Sequence, residues 1–476
     1  MYNSINECCG GNYMFAGRRK ELTYLEKKFI GDQSEFLVIY GRRRIGKTEL
    51  LKKFTSNKKH IFYSAIETVD KNQLALFSKE ILKGTELEKF ISTFQTWEEA
   101  FEFLADQSKE QRTLLVIDEF PYMVNGNPSI PSILQNTWDL LLKNTHLMLI
   151  LCGSSMAFME KELLSAKNPL YGRLTGNYKV EELSVYETAE LLFQIPFQEV
   201  IEYYGVFGGV PHYLIQIDQQ KSYFENLQAI ALERGSILFN EVEFLLRQEL
   251  REVMSYFAVI QAIALGSTTM NEIEQKSNID RTKLTYYLNN LIELGIVEKE
   301  YPVTMPVKQK AKSRKGLYFL KDSYFRFYFT YMFPYMSELI DAGSGYVVEK
   351  IIKPDLNRFM GSVFEKVAGQ FLNRLKKEGQ APFYFMMMGR WWEKAEEVDI
   401  VAYDQEGHLL VGECKWTMSP AGQKELNKMM RLHTHIVPDV KETWYYLFSK
   451  SGFTKELMDF SEFETNVFLI SLDQMA

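Results

Sequence analysis

The chain has 476 residues, 46% of them hydrophobic, so about three domains, each with its own core, are expected. Its formal net charge of −7 excludes nucleic-acid binding through overall charge and leaves only local basic patches for that role. There is no basic-then-apolar signal sequence, no apolar run nears the roughly 18 residues of a membrane span, and Cys8, Cys9, Cys152 and Cys414 have neither metal-site nor disulfide spacing; a reduced, cytoplasmic protein with no membrane partner is expected.

The first strong element is the apolar run Phe36–Tyr40, which predicts a buried parallel strand. Directly after it comes Gly41, Arg42, Arg43, Arg44, Ile45, Gly46, Lys47 and Thr48, and then a helix from Thr48 to Phe54. Strand, glycine loop and helix in that order predict a phosphate-binding loop. Gly41 and Gly46 let the backbone wrap a phosphate with its N–H groups inward, and the helix N-terminus adds positive potential. Lys47 is placed to reach the terminal phosphates of ATP and the Thr48 hydroxyl to hold Mg²⁺. Glu49, in the first helical turn, is counted with this nucleotide-binding set.

A second strand is expected over 61–66. A third, Leu114–Ile117, ends in Asp118-Glu119. Asp118 is expected to complete the Mg²⁺ shell and Glu119 to activate the attacking water. A fourth strand, Leu147–Cys152, runs into Gly153-Ser154-Ser155, small hydroxyls at the level of the γ-phosphate. Strands alternating with helices predict a doubly wound parallel sheet. Leu183–Leu192 opens an expected helical lid, which closes with the glycine-rich Tyr203–His212.

Helical periodicity over Tyr256–Leu265, Thr269–Lys276 and Arg281–Leu294, then short strands at Gly295–Glu300 and Gly316–Leu320, predicts a winged helix. The stretch Lys308–Lys315 carries five cations in eight residues at the wing tip, a flexible contact for DNA phosphates. Farther on, Glu397–Asp404 and Leu409–Trp416 flank a turn and predict a β-hairpin. Residues two apart share a strand face, so Glu413 and Lys415 point together, with Asp399 on the facing strand. Two carboxylates and a lysine at a sheet edge suit Mg²⁺ binding and phosphodiester hydrolysis. The helix Gly361–Ala368 supplies Glu365 as a further ligand, and Trp391-Trp392 offers flat surface for a base or sugar.

These segments together resemble the ATPase family found mainly in Archaea, within the AAA+/STAND group of P-loop NTPases, with a C-terminal PD-(D/E)xK nuclease-like domain. The resemblance begins at Phe15-Ala-Gly-Arg-Arg-Lys-Glu-Leu22, similar to a Phe-x-Gly-Arg box that packs by the nucleotide base. It continues through Leu114–Pro121, Pro169-Leu-Tyr-Gly-Arg173 and Phe207-Gly-Gly-Val-Pro211. It implies that Arg173 stabilises charge on the γ-phosphate, in its own subunit or in a neighbour's within a homo-oligomer. It also implies that Asp399, Glu413 and Lys415 form the nuclease core Asp…Glu-x-Lys; Val398 stands where a proline often precedes the aspartate.

The expected organisation is an α/β P-loop ATPase domain with helical lid (1–235), a winged-helix domain (236–345) and a restriction-endonuclease-like α/β domain (346–476). Two functions are open at this stage. One is an ATP-driven protein that binds and cleaves DNA. The other is a STAND-type regulatory switch whose nuclease-like domain only binds.

Overall fold

In the computed structural model the described residues are 15–310, 313–437 and 439–476. Cys8, Cys9 and two members of the cationic stretch, Ala311 and Lys312, lie outside them. The chain forms two compact units. One comprises Gly17–Leu183 with Val210–His212, and the other Ser184–Gly209 with Tyr213–Ala476. The helices after Leu183 therefore group with the C-terminal part of the chain.

The first unit is built on a parallel sheet of β1 (Glu35–Tyr40), β2 (His60–Ser64), β3 (Thr113–Asp118), β4 (Leu147–Gly153) and β5 (Gly176–Lys179). The strand order is β2-β3-β4-β1-β5. Strands covered on both faces need apolar side chains at every position rather than at alternate ones. β3 and β4 are buried along their whole lengths, as is β1 apart from its first residue. Helices Asp70–Leu82, Trp97–Gln107 and Ile130–Leu140 cover one face, placing Phe77, Trp97, Phe101 and Trp138 against Phe36, Val38 and Leu115. Burying each such side chain contributes about 1.5–3 kcal/mol. β5 was not expected from the sequence. It is an edge strand, Gly-Asn-Tyr-Lys, whose residues alternate between half-buried and exposed.

The second unit contains the helices Val185–Leu191 and Phe197–Phe207, then Val253–Ala264, Met270–Ser277 and Arg281–Glu293. Thr269 opens the middle one of the last three with a capping box closed by Glu272. The Asp280 side chain accepts from the N–H groups of Thr282 and Lys283 to open the next, satisfying donors that have no partner inside the helix. An antiparallel hairpin follows, β6 (Val297–Glu300) with β7 (Leu317–Leu320). The expected flexible wing between them begins with a short helix, Val307–Lys310, in place of an irregular loop.

A 26-residue helix, Lys353–Glu378, leads into a second sheet. Its strands are β8 (Met387–Glu393), β9 (Glu396–Tyr403), β10 (His408–Lys415), β11 (Glu442–Ser449) and β12 (Val467–Ser471), in the order β12-β11-β10-β9-β8. β8, β9 and β10 are antiparallel neighbours, while β10, β11 and β12 run parallel. The helix Gln423–Ile436 packs Leu426, Met429 and Leu432 onto the face bearing Leu409, Val411 and Leu447. On the other face Phe371 of the long helix meets Phe448 edge to face. Among the described residues no helix is long and apolar enough to cross a membrane.

Candidate functional site

The phosphate loop sits at the C-terminal end of β1. Asp118 ends β3, and Ser154 follows the neighbouring β4. Three adjacent strands thus deliver their terminal residues to one edge of the sheet, where ligands of open α/β sheets bind. Gly41 has no room for a side chain, because a Cβ there would stand 2.4 Å from the Val180 carbonyl oxygen. Gly46 precedes the Lys47–Thr55 helix at φ +83°, a conformation a Cβ disfavours.

Lys47 curls back into its own loop and donates to the carbonyls of Gly41 and Arg42, both at 2.9 Å. Burial lowers its pKa. The Thr48 hydroxyl donates to Asp118 Oδ2 at 2.7 Å, so two hard oxygen donors stand side by side as a Mg²⁺ shell requires. Glu119 adopts a left-handed backbone at φ 51°, and its carboxylate accepts from the Ser154 hydroxyl at 2.9 and 3.0 Å. Glu49 instead turns to solvent and pairs with Lys52. Arg42 pairs with Glu182 at 3.4 Å.

The motifs flanking the loop were readable in the sequence, but their contacts with it were not. The Arg18 guanidinium donates to the Ile45 and Glu181 carbonyls, both at 2.6 Å, and pairs with Glu21. The Arg18 of the Phe-x-Gly-Arg box therefore braces the phosphate loop. Pro211 approaches within 3.6 Å of the Cβ position at Gly46, and the His212 N–H donates to the Arg44 carbonyl. The glycine-rich segment thus ends against the loop, an arrangement that spacing alone could not distinguish from a plain turn. The buried Cys152 thiol has its pKa pushed well up by burial and then by Asp118.

Arg173 is held elsewhere. It forms an ion pair with Asp139 of the Ile130–Leu140 helix at 2.9 Å and donates to the Pro169 and Tyr171 carbonyls. That hydrogen bond lowers the Asp139 pKa and raises that of Arg173. In this state its guanidinium is therefore held by Asp139 and two local carbonyls.

A second polar cluster lies in the C-terminal sheet. β9 carries one residue more than β8, so Asp399 and Ile400 together face Arg390. Such a bulge re-aims a side chain. Asp399 Oδ2 accepts from the Cys414 N–H at 2.8 Å. Glu413 is 2% exposed and receives both Lys415, at 2.9 Å, and Lys428 of the Gln423–Ile436 helix, at 3.0 Å. Lys428 was not expected; only the packing of its helix brings it here. Glu365, on the long helix, pairs with Arg390 at 3.3 Å. Trp391 is buried in the core, leaving Trp392 half-buried beside it.

Burial, and then the Asp399 charge, push the Glu365 pKa up to about 7. Burial, and then Glu413, push that of Asp399 up to about 6. For Lys415, burial lowers the pKa but the Glu413 hydrogen bond and charge outweigh it, and the net shift is upward. Carboxylate oxygens are the donors Mg²⁺ and Mn²⁺ prefer, so the chemistry of Glu365, Asp399 and Glu413 fits either ion. Among the described residues, however, the only group with three ligand atoms within 4.8 Å of one another is Asp404, Glu406 and His408 at the β9–β10 turn. Closing Glu365, Asp399 and Glu413 around one ion thus requires the three carboxylates to draw together, with Arg390 yielding part of Glu365 and the lysines part of Glu413.

The raised carboxylates predict a pH effect. The folded chain binds these protons more tightly than the unfolded chain, whose Glu and Asp titrate near 4. Their contribution to stability is complete below about pH 4 and is lost as pH rises through about 7. Glu365→Gln cannot ionise and should gain on the wild type between pH 5 and pH 8, by on the order of 1–3 kcal/mol. Calorimetric melting at the two pH values checks this; an equal difference at both would contradict it.

Residues 15–217 match an ATPase domain predominantly from Archaea. Residues 328–429 match a family of archaeal and bacterial proteins of unknown function. An uncharacterized protein of Methanocaldococcus jannaschii is 38% identical over 404 residues, spanning 85% of this chain and 88% of that one. The chain belongs to the family of this relative, and its residues 15–217 form the archaeal-type ATPase domain. An uncharacterized ATP-binding protein of the same organism is 49% identical over 49 residues, 10% of this chain and 83% of its own. Among solved structures, the Walker-type ATPase of Pyrococcus abyssi is similar at 20% identity and TM-score 0.49, over 66% of this chain and 96% of that one. The Aeropyrum pernix ORC2 protein is similar at 13% identity and TM-score 0.40, over 65% and 92%.

Proposed function

We propose that this archaeal-type P-loop ATPase is a cytoplasmic DNA-processing enzyme, in which nucleotide state governs DNA binding by residues 236–345 and metal-dependent cleavage by residues 346–476. The gathering of Glu365 of the long helix with Asp399, Glu413 and Lys415 of the adjacent inner strands β9 and β10 carries the reading. A surface hairpin has no need to bury opposed carboxylates among apolar strands.

ATP·Mg²⁺ binds with Lys47 on the terminal phosphates and with Thr48 and Asp118 on the ion; Glu119 takes the proton of the attacking water. The three helices and hairpin of residues 253–320 act as a winged helix whose cations contact phosphates, so DNA affinity falls with added salt. Asp399 and Glu413, with Glu365, would hold Mg²⁺, which when bound lowers the pKa of its water and polarises the scissile phosphate. Lys415 orients that water or stabilises the charge that develops.

Arg173 acts on the γ-phosphate once released from Asp139. Arg173→Ala should slow turnover on the order of 10³-fold while changing ATP affinity little. Recovery of activity on mixing with Lys47→Ala protein would place the arginine in a neighbouring subunit; unchanged turnover in Arg173→Ala would leave it the structural partner of Asp139.

The regulatory-switch reading is favoured by one observation, the pair of lysines already seated on Glu413. Incubating plasmid and single-stranded DNA with the purified chain and Mg²⁺ or Mn²⁺ separates the two readings. Nicking or degradation supports the enzyme, and intact DNA under every condition supports the switch.

A further inference from the structure

Arg390 lies on β8 opposite the bulge that carries Asp399, and its guanidinium is shared among carboxylates from three elements. Nε stands 3.3 Å from Glu365 of the long helix, Nη2 3.7 Å from Glu397 of β9, and Nη1 3.8 Å from Glu300 of β6. Its flat face lies 5.0 Å from the ring of Phe319 on β7. Two of these contacts belong to the β6–β7 hairpin, one to Glu365 of the acidic site and one to Glu397 of β9. The same junction carries further ties. Lys366, next to Glu365, pairs with Glu298 of β6 at 3.5 Å. The Val303 N–H donates to the Arg390 carbonyl at 2.9 Å, and the Tyr403 hydroxyl donates to the Val303 carbonyl.

The Arg390 guanidinium and a divalent cation compete for Glu365, because Nε already sits on Glu365 Oε2 and the two positive charges repel. Glu300 gives the displaced guanidinium somewhere to go without leaving a buried charge unpaired, a loss that is costly. We propose that Arg390 is a positioning residue that links metal binding at the acidic site to the docking of the β6–β7 hairpin: metal on Glu365 shifts Arg390 toward Glu300, and the state of the hairpin in turn sets metal affinity. By linkage the effect runs equally in both directions. This rests on the metal-binding part of the reading above and adds the means by which a DNA-contacting hairpin reports to the cleavage site.

The test is Mn²⁺ affinity measured by calorimetry on the full chain at pH 8, with hydrogen exchange of residues 297–303 as a second readout. Arg390→Gln removes the competing cation and should tighten Mn²⁺ about tenfold. Glu300→Gln removes the alternative seat and should weaken Mn²⁺ by roughly threefold or more. Mn²⁺ should change exchange in residues 297–303 of the wild type and leave it unchanged in Arg390→Gln. A purely structural arginine would give weakened binding in both variants, and that result overturns the proposal, as does Arg390→Gln with wild-type affinity. Mn²⁺ binding with the expected opposite shifts but no DNA cleavage would sink the nuclease reading and leave this linkage standing. No Mn²⁺ binding by the wild type would remove both.

Discussion

Glu119→Gln should bind ATP like the wild type yet lose turnover by roughly 10²-fold or more, because an amide cannot take a proton from the attacking water. Lys47→Ala should behave differently and lose nucleotide binding itself. In the structure Lys47 occupies the loop carbonyls of Gly41 and Arg42 and must swing onto the terminal phosphates when ATP enters. Glu119 is likewise held in reserve, with both carboxylate oxygens on the Ser154 hydroxyl. Nucleotide binding by equilibrium titration and phosphate release by a coupled assay separate the two effects. Wild-type turnover in Glu119→Gln would mean that another group accepts the proton.

Asp399→Ala and Lys415→Ala should each reduce DNA cleavage about 10²–10³-fold or more while leaving ATP hydrolysis unchanged. Asp399 offers a ligand that Glu413, already neutralised by Lys415 and Lys428, and Glu365, paired with Arg390, are not free to replace. Its removal also frees the Cys414 N–H. Lys415→Ala leaves Lys428 on Glu413, so the fold should survive and the loss should lie in the chemical step. The ATP site belongs to the other compact unit, so phosphate release serves as the internal control. Equal cleavage by Asp399→Ala and wild type would remove Asp399 from the site.

The parallel sheet was legible because β1, β3 and β4 are buried along their lengths and must be apolar at every position. The glycine loop was legible because its spacing is a backbone requirement. β5 was not, because an edge strand of Gly-Asn-Tyr-Lys needs no apolar run. The hairpin of β9 and β10 was read from its alternation, but the bulge at Asp399 was not: which residue is the extra one depends on pairing with β8. The long-range partners were invisible for the same reason. Nothing in the sequence near Arg173 points to Asp139, 34 residues earlier, and nothing near Glu413 points to Lys428 on the next helix. The Phe-x-Gly-Arg box was legible as a motif, but that its Arg18 guanidinium donates to the Ile45 and Glu181 carbonyls was not. Local chemistry could be inferred from spacing; the pairing of charges across elements required the fold.

The central claim is that nucleotide state governs the DNA chemistry of the second unit. Its most direct test is plasmid cleavage by the wild type in Mg²⁺, followed over time with ATP, with a non-hydrolysable ATP analogue, with ADP and with no nucleotide, and repeated with Lys47→Ala. The account predicts cleavage rates that differ among these nucleotide states in the wild type and collapse to one value in Lys47→Ala. The same rate in all four states for the wild type, or no cleavage in any of them, would contradict it.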